Sequence, residues 1–444
     1  MARDDSDTPP GKRSARKAGR ARAEPAAPQA DPRGGDIDGA ARFAALATQV
    51  RAAFAGGSGE APVAPSALAR AAGLGRGALT ALLRTHAHMT PAAWLARERV
   101  RSAARRLLET RDSVADVAVA AGFAGEAELR RVFLALARLS PEDYRALARA
   151  DAFVLRLPAR YRAREVLAYH ARDPESPCER VDGARVFKAL AAPDGPAILE
   201  IELGARRAVC RVHSPRRLGP ARMGRLHAIA LRMLGLTADV AAFESLARRD
   251  PHLAPLVAKR RGLRLPLTPT VFDALCWAII GQQINLAFAS ALRREMLALA
   301  GERIDGMIAH PTPARLADVD VSALAARRYS RSKAEYLLDT ARAVAAGALD
   351  CEALAEGSAV TAEESLTKLR GIGIWTARYV LMRGAGFADC APVGDVALAA
   401  ALHKVTGSAA RPGPSEVEAL MRPFAPYRSL ATFHLWASLR EDAG

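Results

Sequence analysis

The chain of 444 residues is half hydrophobic and a quarter charged, which excludes a disordered or fibrous polypeptide and leaves room for roughly two to four domains. Its 64 Lys and Arg against 47 Asp and Glu give a formal charge of +17, so a polyanion, nucleic acid first among them, is the partner to consider. That 57 of the 64 are Arg in an Ala-rich chain is also what a codon bias produces. No apolar run reaches about 18 residues and no signal-peptide apolar stretch follows Met1, so we expect no membrane span and a cytoplasmic protein. The five cysteines, at 178, 210, 276, 351 and 390, show no CxxC spacing, which argues against a zinc site or a disulfide framework.

Residues 1–36 contain no Val, Leu or Ile and are expected to remain a disordered basic tail. The run Lys12, Arg13, Arg16, Lys17, Arg20 and Arg22 could touch phosphates, yet this segment carries a net charge of only +2, against +5 for 37–152 and +10 for 153–444. From Pro65 to Trp94, apolar residues at helical spacing break once, at Gly73, predicting two short helices with Ser66 as N-cap of the first. Residues 113–144 repeat the pattern. Gly122 answers Gly73 at an offset of 49, while Phe133, Ser140-Pro141 and Tyr144 answer Leu83, Thr90-Pro91 and Trp94 at an offset of 50. A long helix from Pro91 to about Glu109 links the two units and is expected to expose Arg97, Arg99, Arg101, Arg105 and Arg106.

Over about residues 40–149 this repeat resembles the DNA-binding domain of AraC-type transcription activators, including that of Ada-type alkylation-response regulators. The resemblance implies that the helices at about 75–86 and 125–137 lie in successive major grooves. Arg76 and Arg84 then suit phosphate or guanine contacts. The second unit departs from the family. Glu126 and Glu128 stand near the start of its recognition helix, Leu134 and Ala135 replace a basic pair, and Arg138 occupies a Gly position. A helical packing module that no longer reads DNA is the competing interpretation. No Pro-Cys-His-Arg methyl-acceptor motif is found, so no methyl-transfer chemistry is expected.

Residues 153–157, 197–203 and 207–212 read as strands, the second with period-two alternation of Leu199, Ile201 and Leu203 against Glu200 and Glu202, and Gly204 at a hairpin turn. Beyond about 219 the pattern is helical to the end. There, Leu366 to Val380 places Gly371-Ile372-Gly373 between one helix ending near Leu369 and another starting near Ile374. Such glycines permit positive φ and close backbone approach, and the N–H groups at the second helix start can face an anion. Asp395 follows 22 residues after Gly373. Taken alone it reads first as the N-cap of the helix from Val396 and only second as a catalytic carboxylate. Trp375 and Tyr379, four apart, share a helix face that by itself reads as core.

This hairpin, the following Gly/Pro-rich loop and Asp395 resemble the helix-hairpin-helix motif of base-excision DNA glycosylases. Gly262 to Pro266, Ile280 to Gln283, Gly301 to Arg303, Arg331 to Glu335, Tyr427 to Ser429 and His434 to Trp436 extend the likeness to DNA-3-methyladenine glycosylase II over about 153–440. The implied fold is mainly α: a tandem helix-turn-helix domain (37–150), then an AlkA-like glycosylase with a small antiparallel α+β subdomain (151–218) and an all-α helix-hairpin-helix core (219–440).

The resemblance implies that Asp395 stabilises the oxocarbenium-like sugar and that Trp375, Tyr379 and Trp436 receive the flipped base. A cationic N3- or N7-alkylpurine is favoured by such aromatic faces. Gly371, Gly373 and Thr376 would meet the DNA backbone. Gln283 falls where relatives carry an apolar wedge. Carbonyls around Thr367, Leu369 and Ile372 would hold a structural monovalent cation, with no other cofactor. Bifunctional relatives place a Schiff-base Lys where this chain has Trp375, so base removal without strand cleavage is expected, and no four-Cys iron–sulfur cluster follows the core.

The expected partner is double-stranded DNA with alkylated bases, bound by a monomer. Promoter DNA is a further expected partner if the chain is instead a transcription regulator of the alkylation response whose glycosylase part senses damage. In a third interpretation the helical front only adds non-specific DNA affinity.

Overall fold

The computed structural model describes residues 37–56 and 64–439, so the tail at 1–36 lies outside the described residues. The front half is seven helices: α1 (Ile37–Gly56), α2 (Pro65–Ala71), α3 (Arg76–Ala87), α4 (Pro91–Glu109), α5 (Val114–Ala120), α6 (Glu126–Ala137) and α7 (Pro141–Ala146). The expected duplication is present in the backbone as well as in the pattern. Gly73 and Gly122 both take positive φ, +63° and +75°, between the helices of each unit. The second helix of each unit ends in a left-handed residue, His88 at φ +54° and Arg138 at φ +61°. Thr90 and Ser140 then cap α4 and α7 by accepting from backbone N–H groups three residues on.

The cap of α2 is Ala64 rather than Ser66, which lies one residue inside the helix after Pro65 at the first position. Of the five arginines expected to be exposed on α4, only Arg105 is; Arg99 is buried over the Phe123 ring, and Arg101 donates to Glu356 Oε2 at 2.8 Å. The reason is that α4 is an inner helix, flanked by both units and by the second half of the chain. Glu98, 2% exposed, gathers Arg51 at 3.0 Å, Arg101 at 3.5 Å and Arg97 at 3.7 Å.

The strands β1 (Ala152–Arg156), β2 (Glu179–Asp182), β3 (Arg185–Leu190), β4 (Ala197–Leu203) and β5 (Arg207–His213) form one antiparallel sheet in the order β1-β5-β4-β3-β2, with α8 (Ala163–His170) between β1 and β2. The hairpin expected at Gly204 joins β4 to β5, with Ile201 opposite Cys210. Strands β2 and β3 escape the pattern because their inward side includes an ion pair. Lys188, 1% exposed, donates to Glu179 Oε2 at 2.8 Å, and Glu179 also meets His170 at 2.9 Å.

Helices α9 (Pro220–Met233), α10 (Val240–Ala247), α11 (Leu253–Lys259), α12 (Val271–Gly281) and α13 (Leu286–Ala300) follow. The expectation of unbroken helix beyond 219 fails at 302–309. There β6 (Glu302–Ile304) and β7 (Met307–Ala309) form a hairpin through Asp305 and Gly306, both at positive φ. Asp-Gly is among the dipeptides that such a two-residue turn favours.

The rest is helical: α14 (Pro313–Ala317), α15 (Val321–Ala325), α16 (Arg331–Ala345), α17 (Cys351–Glu356), α18 (Ala359–Thr367), α19 (Ile374–Val380), α20 (Val396–Thr406), α21 (Pro414–Met421) and α22 (Arg428–Ser438), with a wider turn at Leu381–Ala385.

Three large cores result. One fills the space among α10–α22, and one belongs to the first helix-turn-helix unit. The third runs without a break from the second unit into the sheet and α9, for example Phe133 and Tyr144 with Phe153, Leu199 and Met223. Across that seam His227 Nε2 donates to Ala137 O at 2.7 Å. Packing is therefore continuous through residue 150. Cys178, Cys210, Cys276 and Cys390 are buried, Cys351 is partly so, and all five are free thiols.

Candidate active site

The helix-hairpin-helix is α18, a six-residue turn and α19. Gly371 is at φ +84°, and a Cβ there would fall 2.2 Å from the Tyr336 ring, so this position tolerates nothing larger. Gly373 differs: its φ is −87° and a Cβ would meet nothing within 4 Å. Its backbone needs no glycine, and any demand for one comes from outside the chain.

The hairpin is fixed from behind. Gln282 Nε2 donates to Gly371 O at 2.9 Å and to Thr376 Oγ1 at 3.1 Å, and Lys333 Nζ donates to the carbonyls of Ile280 and Gln282. Thr376, 2% exposed, thus turns its side chain inward. Gln283 is exposed at φ +57°, and Leu286, 73% exposed, begins α13 three residues later.

Gly394, at φ +92°, closes the loop that delivers Asp395 to the N-terminus of α20. The two roles offered by sequence for Asp395 coexist. Its Oδ1 accepts from Leu398 N at 2.7 Å, capping the helix, and from Trp436 Nε1 at 2.9 Å, while Oδ2 accepts from Trp375 Nε1 at 3.2 Å. Three donors thus fix the carboxylate while leaving it partly exposed. The Trp375 and Tyr379 rings stack at 5.7 Å between centroids and 29°, and Tyr379 meets Trp436 at 6.4 Å and 38°. Trp375 and Tyr379 share one face of α19, and Trp436 comes from α22, so the aromatic cluster spans two helices beside the capped carboxylate.

Sequence reasoning missed what lies behind this cluster. Tyr379 hydrogen-bonds Trp277, and the exposed Arg172 sits 5.6 Å from the Trp277 ring and 4.1 Å from the Tyr169 ring. Arg383, 2% exposed, lies 4.5 Å from the Tyr169 ring and donates to its hydroxyl. Burial pushes the Tyr169 phenol up, but the Arg172 and Arg383 guanidiniums outweigh it and hold it below its ordinary value. For Tyr379 burial wins and the phenol is raised. Trp277 and Arg383 sit in apolar helical stretches and Tyr169 on a separate helix, so no local spacing marks them as one group.

The remaining candidates divide by location. Thr367, Leu369 and Ile372 all lie at the hairpin, and Leu369 O accepts from Ile372 N at 3.1 Å, which leaves that carbonyl a second lone pair for a cation. Arg76 and Arg84 are not brought to Asp395; both are exposed on α3, in the other half of the molecule. On α6, Arg130 donates to both Glu126 and Glu142. Among the described residues no cluster of three His, Cys, Asp or Glu side chains suits a metal ion, and no helix is long and apolar enough to cross a membrane.

Residues 68–147 match a helix-turn-helix domain, 153–269 an AlkA N-terminal domain, and 276–426 the HhH-GPD superfamily of base excision DNA repair proteins. The chain is 36% identical over 213 residues to a DNA-3-methyladenine glycosylase of Bacillus subtilis (strain 168), covering 45% of this chain and 68% of that protein. It is 30% identical over 366 residues to a probable bifunctional transcriptional activator/DNA repair enzyme AlkA of Mycobacterium tuberculosis, covering 78% of this chain and 71% of that one. With DNA-3-methyladenine glycosylase 2 of Escherichia coli (strain K12) it shares 33% over 187 residues, 41% of this chain and 63% of that protein. Among solved structures, a 3-methyladenine DNA-glycosylase from Archaeoglobus fulgidus superposes with a TM-score of 0.58 at 22% identity, over 65% of this chain and 98% of that one, a likeness of fold.

Proposed function

The chain belongs to the DNA-3-methyladenine glycosylases of the HhH-GPD superfamily, in the form fused to an AraC-type helix-turn-helix domain, and from that premise we propose that it excises alkylated purines from duplex DNA. The damaged base leaves the stack and enters between Trp375, Tyr379 and Trp436. The N-glycosidic bond breaks with its electron pair going to the base, and Asp395 stabilises the positive charge left on the sugar until water adds at C1′. A cationic alkylpurine, of the 3-methyladenine and 7-methylguanine type, is both better held by electron-rich rings and a better leaving group.

The observation that carries this is the Asp395 carboxylate, oriented by two indole N–H groups and one backbone N–H beside the aromatic rings. Trp375 occupies the position from which bifunctional relatives attack the sugar, so the strand stays intact. Gly371 and Gly373 present the start of α19 to a phosphate, while Thr376, expected at the DNA, instead braces the hairpin from inside through Gln282. Gln283 enters the vacated stack, and the carbonyls of Thr367, Leu369 and Ile372 can hold a structural monovalent cation. We divide the chain into a DNA-binding front at 37–150, an α+β subdomain at 151–218 and a core at 219–440, acting as a monomer.

Release of methylated bases from duplex DNA, compared between the wild type and Asp395→Asn, tests the assignment. We expect a loss of about a hundredfold or more, in the range of electrostatic and acid–base contributions; equal release by both removes Asp395 from the mechanism.

A second role as regulator of the alkylation response is supported by Arg76, exposed on α3; Arg84, eight residues on, is also exposed but lines the cavity toward Tyr427. The pairing of Arg130 with Glu126 and Glu142 weighs against base reading by α6. A footprint of the full chain on promoter DNA tests it, a discrete protected site supporting regulation.

A further inference from the structure

A cavity of about 1060 Å³ lies between the helix-turn-helix units and the glycosylase part. One wall is α4 with the C-terminal ends of α3 and α6. The facing wall carries Leu231, Leu236, Leu265 and Phe387 together with the charged Arg225, Asp239 and Arg264. Seven arginines line it against two carboxylates, Glu109 and Asp239. Arg101 has Glu356 at 2.8 Å and Arg97 has Glu98 at 3.7 Å. Arg138 and Arg264 have no carboxylate at ion-pair distance among the described residues, and the Nε of each is buried without a hydrogen-bond partner. Arg264 is 8% exposed, and its one hydrogen bond goes to Gly235 O at 3.2 Å. Burial and the neighbouring Arg138 charge hold its guanidinium down to about 10, with Glu244 and Asp239 offsetting only part.

Arg138 is also where the sequence departs from its family. It caps α6 at φ +61°, a conformation that costs least for glycine, yet carries a long cationic side chain into the cavity. Its counterpart in the first unit, His88, lines the same cavity but adds no charge. Burial holds it down to about 4, and its Nδ1 accepts from Asp389 N at 3.1 Å.

A buried Arg264 beside the half-buried Arg138, with no anion between them, costs stability that a bound anion would return. We propose that this cavity binds a small anionic amphiphile, its carboxylate or sulfonate group between Arg138 and Arg264 and its apolar body against the leucine-rich wall. Such a ligand touches both halves of the chain and is independent of the Asp395 site.

The test uses the full chain and two fluorescent probes, 8-anilinonaphthalene-1-sulfonate and its uncharged counterpart N-phenyl-1-naphthylamine. Arg138→Gly suits the backbone at φ +61° and so keeps the fold, which a thermal melt verifies. We expect one sulfonate probe per chain, bound about tenfold more weakly by the variant, the range for loss of a charged hydrogen bond. The neutral probe should bind both proteins alike. Sulfonate affinity within twofold of the wild type, or equal weakening of both probes, overturns the anion site. Displacement of the sulfonate by equimolar undamaged duplex assigns the arginines to the DNA backbone and overturns it as well.

Discussion

The indole N–H of Trp436 donates to Asp395 Oδ1 at 2.9 Å, and the same oxygen accepts the Leu398 N–H at 2.7 Å. One atom thus serves helix capping and site geometry together, so the carboxylate cannot turn without uncapping α20. Trp436→Phe keeps an aromatic ring, smaller than the indole, against Tyr379 and removes the donor. Single-turnover base release should fall about tenfold, as for a lost hydrogen bond to a charged group, with the thermal midpoint little changed. An unchanged rate would show that Leu398 and Trp375 suffice.

The two hairpin glycines should separate by phenotype. Gly371→Ala meets the Tyr336 ring and a positive φ, and should lose about 2 kcal/mol or more of stability. Gly373→Ala meets nothing and should melt like the wild type. If a phosphate approaches that backbone, its affinity for a duplex containing an abasic-site analogue falls about tenfold by fluorescence anisotropy, the scale of a charged hydrogen bond. Wild-type affinity in Gly373→Ala would remove the phosphate contact.

Gln283 is exposed in a left-handed conformation. Gln283→Gly should gain about 1 kcal/mol of stability while losing duplex activity, with single-stranded substrate processed as before because no stack needs filling. Equal loss on both substrates would contradict a stack-filling role.

Glu98 anchors three arginines while 2% exposed. Burial raises its carboxyl, but Arg101, Arg51 and Arg97 outweigh burial and hold it below its usual range. Glu98→Gln should destabilise by about 3 kcal/mol, as when one partner of a buried ion pair is removed. Urea denaturation would measure it, and a loss below 1 kcal/mol would show that water already screens the cluster.

Acid should loosen the protein well before its carboxylates titrate. Burial holds His88 and His227 down to about 4 and His434 down to about 3, against 6.5 for the free side chain. The unfolded chain takes up these protons below about 6.5 and the folded chain does not until about 4. Stability is therefore full above pH 6.5 and declines as pH falls toward 4. The thermal midpoint should be flat from pH 7 to 8 and drop steadily from 6.5 to 4.5; a flat profile to 5 would contradict it.

The helix-turn-helix repeat was legible because its turns need positive φ and its caps need hydroxyls, so geometry is written in residue type at Gly73, Gly122, Thr90 and Ser140. The Asp395 cluster was legible through its resemblance to a family, since an Asp after Gly and aromatics four apart have commoner uses in any helix. Strands β2 and β3 were hidden by Lys188 and Glu179, whose mutual neutralisation lets charge sit where the pattern demands apolar residues. The packing through residue 150 was invisible because composition marks the change from helix to strand but not which core each residue joins. The arginines of α4 misled for a related reason: exposure depends on what covers a helix.

The cysteines carry a consequence for working conditions. Burial pushes the Cys210, Cys276 and Cys390 thiols up, the partly buried Cys351 is held up at about 12, and Cys178 is 0% exposed. Methylating electrophiles attack thiolates far faster than thiols, and need access to do so. A protein proposed to remove methylated bases must operate while those same reagents are present. With its thiols shielded or kept protonated, the protein should lose activity to a methylating reagent no faster than a variant with all five cysteines replaced by serine.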